Sequence, residues 1–198
     1  TKILFEGKRA VGVAYVQRGM KLDAKGREVI LAGGAINSPQ LLQLSGIGPG
    51  ALLQSLGIPL VHANANVGAR MQDHHGINYT WRMKVPTLND ELRPWWGKLR
   101  AGLQYVLTRK GPLSLSINQG GGFFRTHPEM TRPNMQLYMQ AFSTLLPKPG
   151  ERPILNPDPF SGLSLGLSNC RPTSTGEVMI KSPDPLVHPK ISFAAYAT

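Results

Sequence analysis

The stretch that most constrains this chain runs from Gly26 to Pro49 and reads GREVILAGGAINSPQLLQLSGIGP. An apolar run meets two adjacent glycines, and a Ser-Pro pair follows closely. The pattern predicts a strand over 28–32 that is buried on both faces, a tight turn, and a short helix from Pro39 to Leu44 capped by Ser38. Such a turn brings backbone N–H groups and a helix dipole against an anion that tolerates no side chain nearby.

Composition narrows the class of protein. The 198 residues are 41% hydrophobic and 17% charged, which is typical of folded domains and not of disordered chains. The net charge is +11, but the basic residues are scattered and no DNA-binding or zinc-finger spacing occurs, so we predict no nucleic-acid partner and no metal site. The single cysteine, Cys170, excludes an internal disulfide, and no apolar run reaches membrane-spanning length. These features favour a cytoplasmic protein.

Periodicity predicts the remaining elements. Alternating apolar residues indicate strands at Ile3–Phe5, Ala10–Gln17, Ile58–His62, Gly76–Lys84, Leu115–Arg125, Met135–Ala141, Gly162–Ser168, Glu177–Lys181 and Lys190–Phe193. A second short helix is expected between Pro49 and Gly57, and one long helix from Asp90 to Lys110. On the long helix, Trp95, Trp96 and Tyr105 suit either an aromatic cage for a cation or, as the helical spacing favours, core packing.

Three segments carry a family resemblance. The motif Gly34-Ala35-x-x-Ser38-Pro39-x-Leu41-Leu42-x-x-Ser45-Gly46-Ile47-Gly48 resembles the second signature of the glucose–methanol–choline (GMC) flavoprotein oxidoreductases. Asn66-Val67-Gly68 through Gln72-Asp73-His74 is similar to a second landmark of that family. Arg171-Pro172-x-Ser174-x-Gly176-x-Val178, with Ser182-x-Asp184-Pro185 and Pro189-x-Ile191, is similar to the start of its C-terminal region. The resemblance covers essentially the whole chain.

The resemblance implies a fold, a cofactor and candidate residues. The expected fold class is α/β plus α+β: residues 1–74 form the back half of a Rossmann-like FAD-binding domain, and 75–198 form an antiparallel-sheet substrate domain with flanking helices. FAD is the implied cofactor. The residues expected beside it are Gly33, Gly34, Ala35, Ser38, Asp73 and His74. Ser38 is also explained by capping alone, and Asp73 and His74 by an ordinary polar loop.

The resemblance also shows what the chain does not contain. No GxGxxG phosphate loop occurs, and nothing matches the family's catalytic His and its partner, so no catalytic residue is assigned. The chain begins without Met, inside a predicted strand, and ends in another. We therefore expect an internal fragment of an FAD-dependent alcohol or choline-type dehydrogenase or oxidase that by itself oxidises no alcohol.

The substrate is expected to be a small alcohol, and the electron acceptor is not specified. The resemblance implies that Asn118 and Gln119 lie on a strand that faces the substrate cavity. It also implies that choline-oxidising members of the family have a carboxylate near this point. Gln119 is neutral and does not pair with a quaternary ammonium, which counts against choline. Two alternatives stay open. One is a non-enzymatic basic module that binds anions at helix N-termini, and the other is an oligomer joined through sheet edges.

Overall fold

The computed structural model describes residues 1–145 and 156–194. The chain divides into two compact units. The N-terminal unit comprises Thr1–Asp73 together with Thr173–Thr198, and the central unit comprises His74–Pro172. The predicted division between residues 74 and 75 separates a cofactor domain from a substrate domain, whereas these units are defined by compactness alone. That functional division stays a prediction.

The N-terminal unit opens with a three-stranded antiparallel sheet formed by β1 (Lys2–Glu6), β2 (Arg9–Gln17) and β3 (Met20–Lys25). Strands were predicted at the positions of β1 and β2, but none was predicted at the position of β3. Arg18 and Gly19 both have positive φ, at 51° and 80°. A two-residue turn of this hand matches the twist of the strands, so the chain doubles back at once and forms β3.

The strand predicted over 28–32 is wrong, because these residues form no strand and Ile30 is 80% exposed. The apolar pattern marks a segment that favours burial, but no strand of the described residues pairs with it.

The first helix, α1 (Gly34–Leu44), starts five residues earlier than predicted and carries Pro39 in its interior. Gly33 occupies the N-cap, so the prediction that Ser38 caps the helix is wrong. The Ser38 hydroxyl instead accepts the Gly33 N–H at 3.1 Å, which braces the turn from inside the helix.

The rest of the N-terminal unit surrounds its core. Helix α2 (Gly50–Ser55) lies between Pro49 and Gly57 as predicted. The strand predicted over 58–62 shrinks to β5 (His62–Ala63), which pairs in parallel with β4 (Ile47–Gly48). Strands β10 (Gly176–Met179) and β11 (Lys190–Phe193) form an antiparallel pair. The core cluster consists of Leu53, Ile58 and Ile180, with Leu44, Leu52 and Leu56 packed against it.

The central unit is built on a four-stranded antiparallel sheet, in agreement with the predicted strands. The strands are β6 (Gly76–Arg82), β7 (Gly120–Phe124), β8 (Met135–Gln140) and β9 (Gly162–Asn169), in the order β6-β9-β8-β7. The segment 145–159 is rich in proline and lies largely outside the described residues, although Thr144 and Pro157 form an isolated bridge.

The long helix predicted over 90–110 is two helices, α3 (Leu88–Leu92) and α4 (Trp95–Thr108). Pro94 separates them because a proline has no N–H to continue the helix and restricts the residue before it. The expected core packing of the aromatic residues is also wrong: Trp95 and Trp96 are exposed, and Tyr105 is half-buried beneath the Arg109 guanidinium. Within the described ranges, no helix has the length and apolar character needed to cross a membrane.

Candidate functional site

The glycine turn at the start of α1 is the first candidate site. Gly34 adopts φ +82°, a conformation that favours glycine, and no atom lies within 4 Å of where its Cβ would be. No side chain caps the helix N-terminus, and no acidic residue lies in its first turn. The first N–H groups of α1 are therefore free of competing carboxylates on their own helix.

A cavity of about 560 Å³ adjoins this turn. It is lined by Gly33, Gly34, Ala35, Ile36, Asn37, His188, Pro189 and Ile191. Three of the predicted cofactor residues thus share one cavity, whereas Ser38 braces the turn through Gly33. The sequence did not identify His188 as a wall of this site. The family motif that contains Pro185 and Pro189 drew attention to this segment of the chain. It did not show that the segment lies beside the glycine turn in space.

The shape of the turn suits the close approach of a flat or extended ligand. A Cβ on Gly33 would come within 3.2 Å of the Asn37 Cβ, so this position has little room for a side chain. The open space over Gly34 has the opposite character, since a Cβ there would project into empty volume. A dinucleotide fits such a cradle, which combines exposed backbone N–H groups with no side chain in the way.

A buried amide fixes α1 to the two other motif segments. The Gln43 side chain is fully buried; its Nε2 donates to the Val178 carbonyl at 2.9 Å and its Oε1 accepts the Ile180 N–H at 3.1 Å. The Val178 N–H in turn donates to the Gly68 carbonyl at 2.7 Å. Gly68 has φ +82°, and a Cβ there would collide with the Val178 carbonyl. The sequence did not predict this role for Gln43, because a glutamine within a helix carries no signal of its partners.

Asp73 and His74 are both exposed, in the irregular segment that precedes β6. They lie at the boundary of the two compact units, Asp73 in the first and His74 in the second. Their proximity to a cofactor stays a prediction.

The second candidate site is a cavity of about 450 Å³ in the central unit. Its walls are mostly apolar, and its lining residues are Leu88, Leu92, Lys98, Ala101, Pro112, Leu113, Leu115, Ser116, Ile117, Gln119, Phe142 and Pro157. Gln119 is half-buried in this wall, and its Oε1 accepts the Ala141 N–H at 2.6 Å. Since the Gln119 Oε1 already accepts this backbone N–H, the NH₂ group is the part of the amide that can donate a hydrogen bond to a ligand.

Asn118, the other residue predicted for the substrate cavity, is exposed and is not among the lining residues. Its Oδ1 accepts the Gln140 Nε2–H at 3.1 Å. The substrate roles of Asn118 and Gln119 stay predictions.

Comparison with known proteins shows which family the N-terminal part of the chain resembles. The family model described as GMC oxidoreductase matches residues 1–76, which include the glycine turn, α1 and the segment around Gly68. Over these residues the chain is similar to the GMC oxidoreductases. GMC oxidoreductases and the solved structures that this chain resembles are FAD-binding flavoproteins, as the sequence predicts.

The similar proteins agree with this assignment. An oxygen-dependent choline dehydrogenase from Pseudomonas fluorescens is 39% identical over 200 residues, covering 100% of this chain and 34% of the relative. A formate oxidase structure from Aspergillus oryzae that concerns FAD modification has a TM-score of 0.82 at 25% identity, covering 100% of this chain and 39% of the oxidase. A pyridoxine 4-oxidase structure shares the fold, with a TM-score of 0.71 at 20% identity.

These matches confirm the fold class: a mixed α/β structure with several sheets that has the GMC oxidoreductase fold. The chain spans about a third of the length of the curated relatives it matches. Among the residues that the structure describes, no group of three His, Cys, Asp or Glu side chains is arranged to hold a metal ion.

Proposed function

We propose that the protein carrying this chain is an FAD-dependent oxidoreductase that acts on the CH–OH group of a small alcohol, and that the chain alone does not oxidise alcohols. The observation that carries the proposal is the glycine turn at the start of α1, where an uncapped helix N-terminus meets an open cavity. Bound FAD would supply the hydride acceptor for the alcohol carbon. In this chain, Gly34 and Ala35 would hold the cofactor through backbone N–H groups, and Gly33, whose N–H is donated to the Ser38 hydroxyl, would let it approach the turn closely.

Gly34→Ala tests this role against a matched control. Gly57 has φ +68° and, like Gly34, no atom within 4 Å of its Cβ position. Alanine at either position therefore carries a similar backbone cost of about 1–2 kcal/mol. We expect Gly34→Ala to lower the flavin content of the purified protein by about tenfold or more, since the methyl group occupies the cradle, and Gly57→Ala to retain the flavin. Flavin absorbance per protein is the measurement.

Equal flavin contents in the two variants would contradict the role of the turn. The alternative function, a non-enzymatic module that binds anions, predicts a protein without flavin absorbance in any variant. Turnover of an alcohol with a dye acceptor by the 198-residue chain alone would contradict the proposal that this chain is inactive.

The cavity beside Gln119 supports a neutral substrate. Its lining includes Lys98 and no carboxylate, and Gln119 has an NH₂ group that can donate to a ligand while its Oε1 accepts the Ala141 N–H. A quaternary ammonium would find neither a counter-ion nor an aromatic cage there, whereas a hydroxyl or carbonyl oxygen accepts from the amide. We therefore propose a neutral alcohol with an apolar body, although the similar Pseudomonas fluorescens protein is a choline dehydrogenase.

Gln119→Glu tests the substrate class. The carboxylate can still accept the Ala141 N–H and adds the missing negative charge. In the flavin-loaded protein, we expect the ratio of kcat/KM for choline to that for its neutral isostere 3,3-dimethylbutan-1-ol to rise about tenfold, the effect of one charge-assisted contact. Gln136→Glu is the control, because Gln136 lies on β8 of the same sheet and does not line the cavity. An unchanged ratio in Gln119→Glu, or an equal rise in both variants, would contradict this assignment.

Three further properties remain proposals. Residues 1–74 and 75–198 are proposed as parts of a cofactor domain and a substrate domain. A cytoplasmic location is proposed from the single cysteine, Cys170, which forms no disulfide within the chain. An oligomer joined through unpaired sheet edges is also proposed.

A further inference from the structure

The cavity of the central unit is open on one side and closed on the other. The lining residues on its open side are exposed, and they are Lys98, Leu113, Leu115, Ser116 and Ile117. Ala101 lines the same cavity but is only 1% exposed. The cavity therefore has an inner end, which Ala101 marks.

The inner end is formed within the central unit itself. Helix α4, which carries Ala101, lies close to α3, because a Cβ on Gly97 would collide with the Glu91 carbonyl oxygen. Leu88 and Leu92 of α3 are half-buried and line the cavity. The close approach of the two helices therefore fixes Ala101 and the two leucines relative to one another.

The inner wall is apolar apart from one amide. Its half-buried members, beside Ala101, are Leu88, Leu92, Pro112, Gln119, Phe142 and Pro157. Gln119 is the one polar residue of this set, and its NH₂ group can donate to a hydroxyl oxygen. Such a wall fits a ligand that has one hydroxyl group and an otherwise apolar body.

The cavity is much larger than the smallest alcohols. Its volume of about 450 Å³ equals that of about fifteen water molecules at about 30 Å³ each. An alcohol of two or three carbon atoms would leave most of this space to water. A chain of about eight carbon atoms would occupy much of it, even at a packing density below that of a protein interior.

We propose that the apolar body of the substrate extends along the inner wall to Ala101, and that the small side chain of Ala101 sets the longest chain that the cavity accepts. This inference rests on the proposed function, since it assigns the alcohol to the same cavity. The substrate class becomes a primary alcohol with an unbranched apolar chain of about eight carbon atoms. Ala101 is then a specificity-determining residue.

A series of primary alcohols from ethanol to 1-decanol tests this inference in the flavin-loaded protein. We expect kcat/KM to rise about fourfold for each added methylene group, up to about eight carbon atoms, and then to level off. The rise should come mainly from a lower KM, because the far end of the chain is bound equally in the ground state and in the transition state.

Ala101→Leu should shorten the chain that is accepted. The larger side chain adds about three carbon atoms at the inner end, so kcat/KM for 1-octanol should fall about 60-fold while that for 1-butanol changes less than about twofold. Gly102→Leu is the matched control. Gly102 is the next residue of α4, does not line the cavity and has no atom within 4 Å of its Cβ position, so the profile should not change.

Leu92→Ala provides a change of opposite sign that does not depend on fitting a larger side chain. It removes about three carbon atoms from the inner wall, so kcat/KM for 1-decanol relative to that for 1-octanol should rise about fourfold or more. Leu99→Ala is its control, because Leu99 is 53% exposed on α4 and does not line the cavity. Circular dichroism and flavin absorbance show that each variant is folded and loaded.

The outcomes separate this inference from the proposed function. Oxidation of the alcohols with a flat profile, or with a loss in Ala101→Leu that is equal at every chain length, overturns the inference and leaves the proposed function in place. A shift in Gly102→Leu as large as that in Ala101→Leu also overturns the role of Ala101. If the flavin-loaded protein oxidises no alcohol of the series, the proposed function fails and the inference fails with it.

Discussion

Each compact unit is held together by one fully buried side-chain amide, and the two amides work differently. In the N-terminal unit, Gln43 makes two hydrogen bonds, to backbone groups 135 and 137 residues away. In the central unit, Asn89 accepts the Ser143 N–H at 2.9 Å, and its Nδ2 lies within 3.4 Å of four acceptors. Those acceptors are the carbonyls of Ser143, Asp158 and Phe160 and the Ser143 hydroxyl.

The two amides differ in how many acceptors share the protons of the NH₂ group. An amide NH₂ group has two protons, so the four Asn89 contacts share two donors and each is weaker than a full bond. The Ser143 carbonyl also accepts the Asp158 N–H at 3.1 Å, so it keeps a partner without Asn89. Gln43 instead presents one donor and one acceptor to one edge of β10, as a neighbouring strand would. The number of contacts is therefore a poor guide to which amide matters more.

Gln43→Met should have the larger effect on stability. Methionine keeps the volume but leaves the Ile180 N–H and the Val178 carbonyl buried without this partner, at a cost of about 3 kcal/mol. Chemical denaturation measures the loss. Hydrogen exchange should localise it to the segments around Gly68 and β10.

Gln40→Met is the control for this change. Gln40 lies one turn earlier on α1, and its Nε2 donates to the Val187 carbonyl in an exposed contact, so we expect a loss below about 1 kcal/mol. Equal losses in the two variants would show that the buried position of Gln43 is not what matters.

Asn89→Leu should destabilise less, by about 2 kcal/mol, because Ser143 N–H is the main group left without its partner. All three tryptophans lie in the central unit, so the fluorescence transition reports this change directly. Asn78→Leu on exposed β6 is the control and should be close to neutral. A loss larger than that of Gln43→Met would reverse the comparison.

Much of the fold follows from local pattern. The β1–β2 hairpin, α2 between Pro49 and Gly57, and the strands of the central sheet are specified by residue alternation and by helix-ending glycines. Gly46, at φ +87°, directly follows the C-cap residue of α1, a position that favours glycine. These features depend on neighbours in sequence, which the sequence displays.

The wrong predictions concern residues whose surroundings depend on distant parts of the chain. Periodicity shows that 28–32 and the tryptophans of α4 favour an apolar environment, but it does not show which surface supplies one. Ile30 and Trp95 are consequently exposed where burial was predicted. The residues of the glycine turn were singled out through their motif, whereas His188 and Gln43 were not, since their positions depend on contacts with residues far away in the sequence.

The smallest expected effect concerns the support of Asn89 itself. Helix α3 begins with a capping box, in which the Thr87 hydroxyl accepts the Asn89 N–H and the Thr87 N–H donates to Asp90 at 2.8 Å. The hydrogen bond from the Thr87 backbone, with smaller contributions from Ser161 and Arg93, lowers the pKa of Asp90 below its ordinary value of 3.8, and burial opposes the shift.

A carboxylate with a lowered pKa in the folded state stabilises the fold above its unfolded pKa, and this contribution is lost as the pH falls through the folded value. We therefore expect the difference in Tm between the natural protein and Asp90→Asn to be constant near neutral pH and to shrink below about 3.8. Arg93→Gln should retain most of this pH dependence, because the backbone bond and not the ion pair is its main cause. If Arg93→Gln abolished the pH dependence, the surface ion pair between Arg93 and Asp90 would be what holds α3 in place. The hydrogen bonds of Asn89 to Ser143 would then depend on salt concentration, whereas those of Gln43 would not.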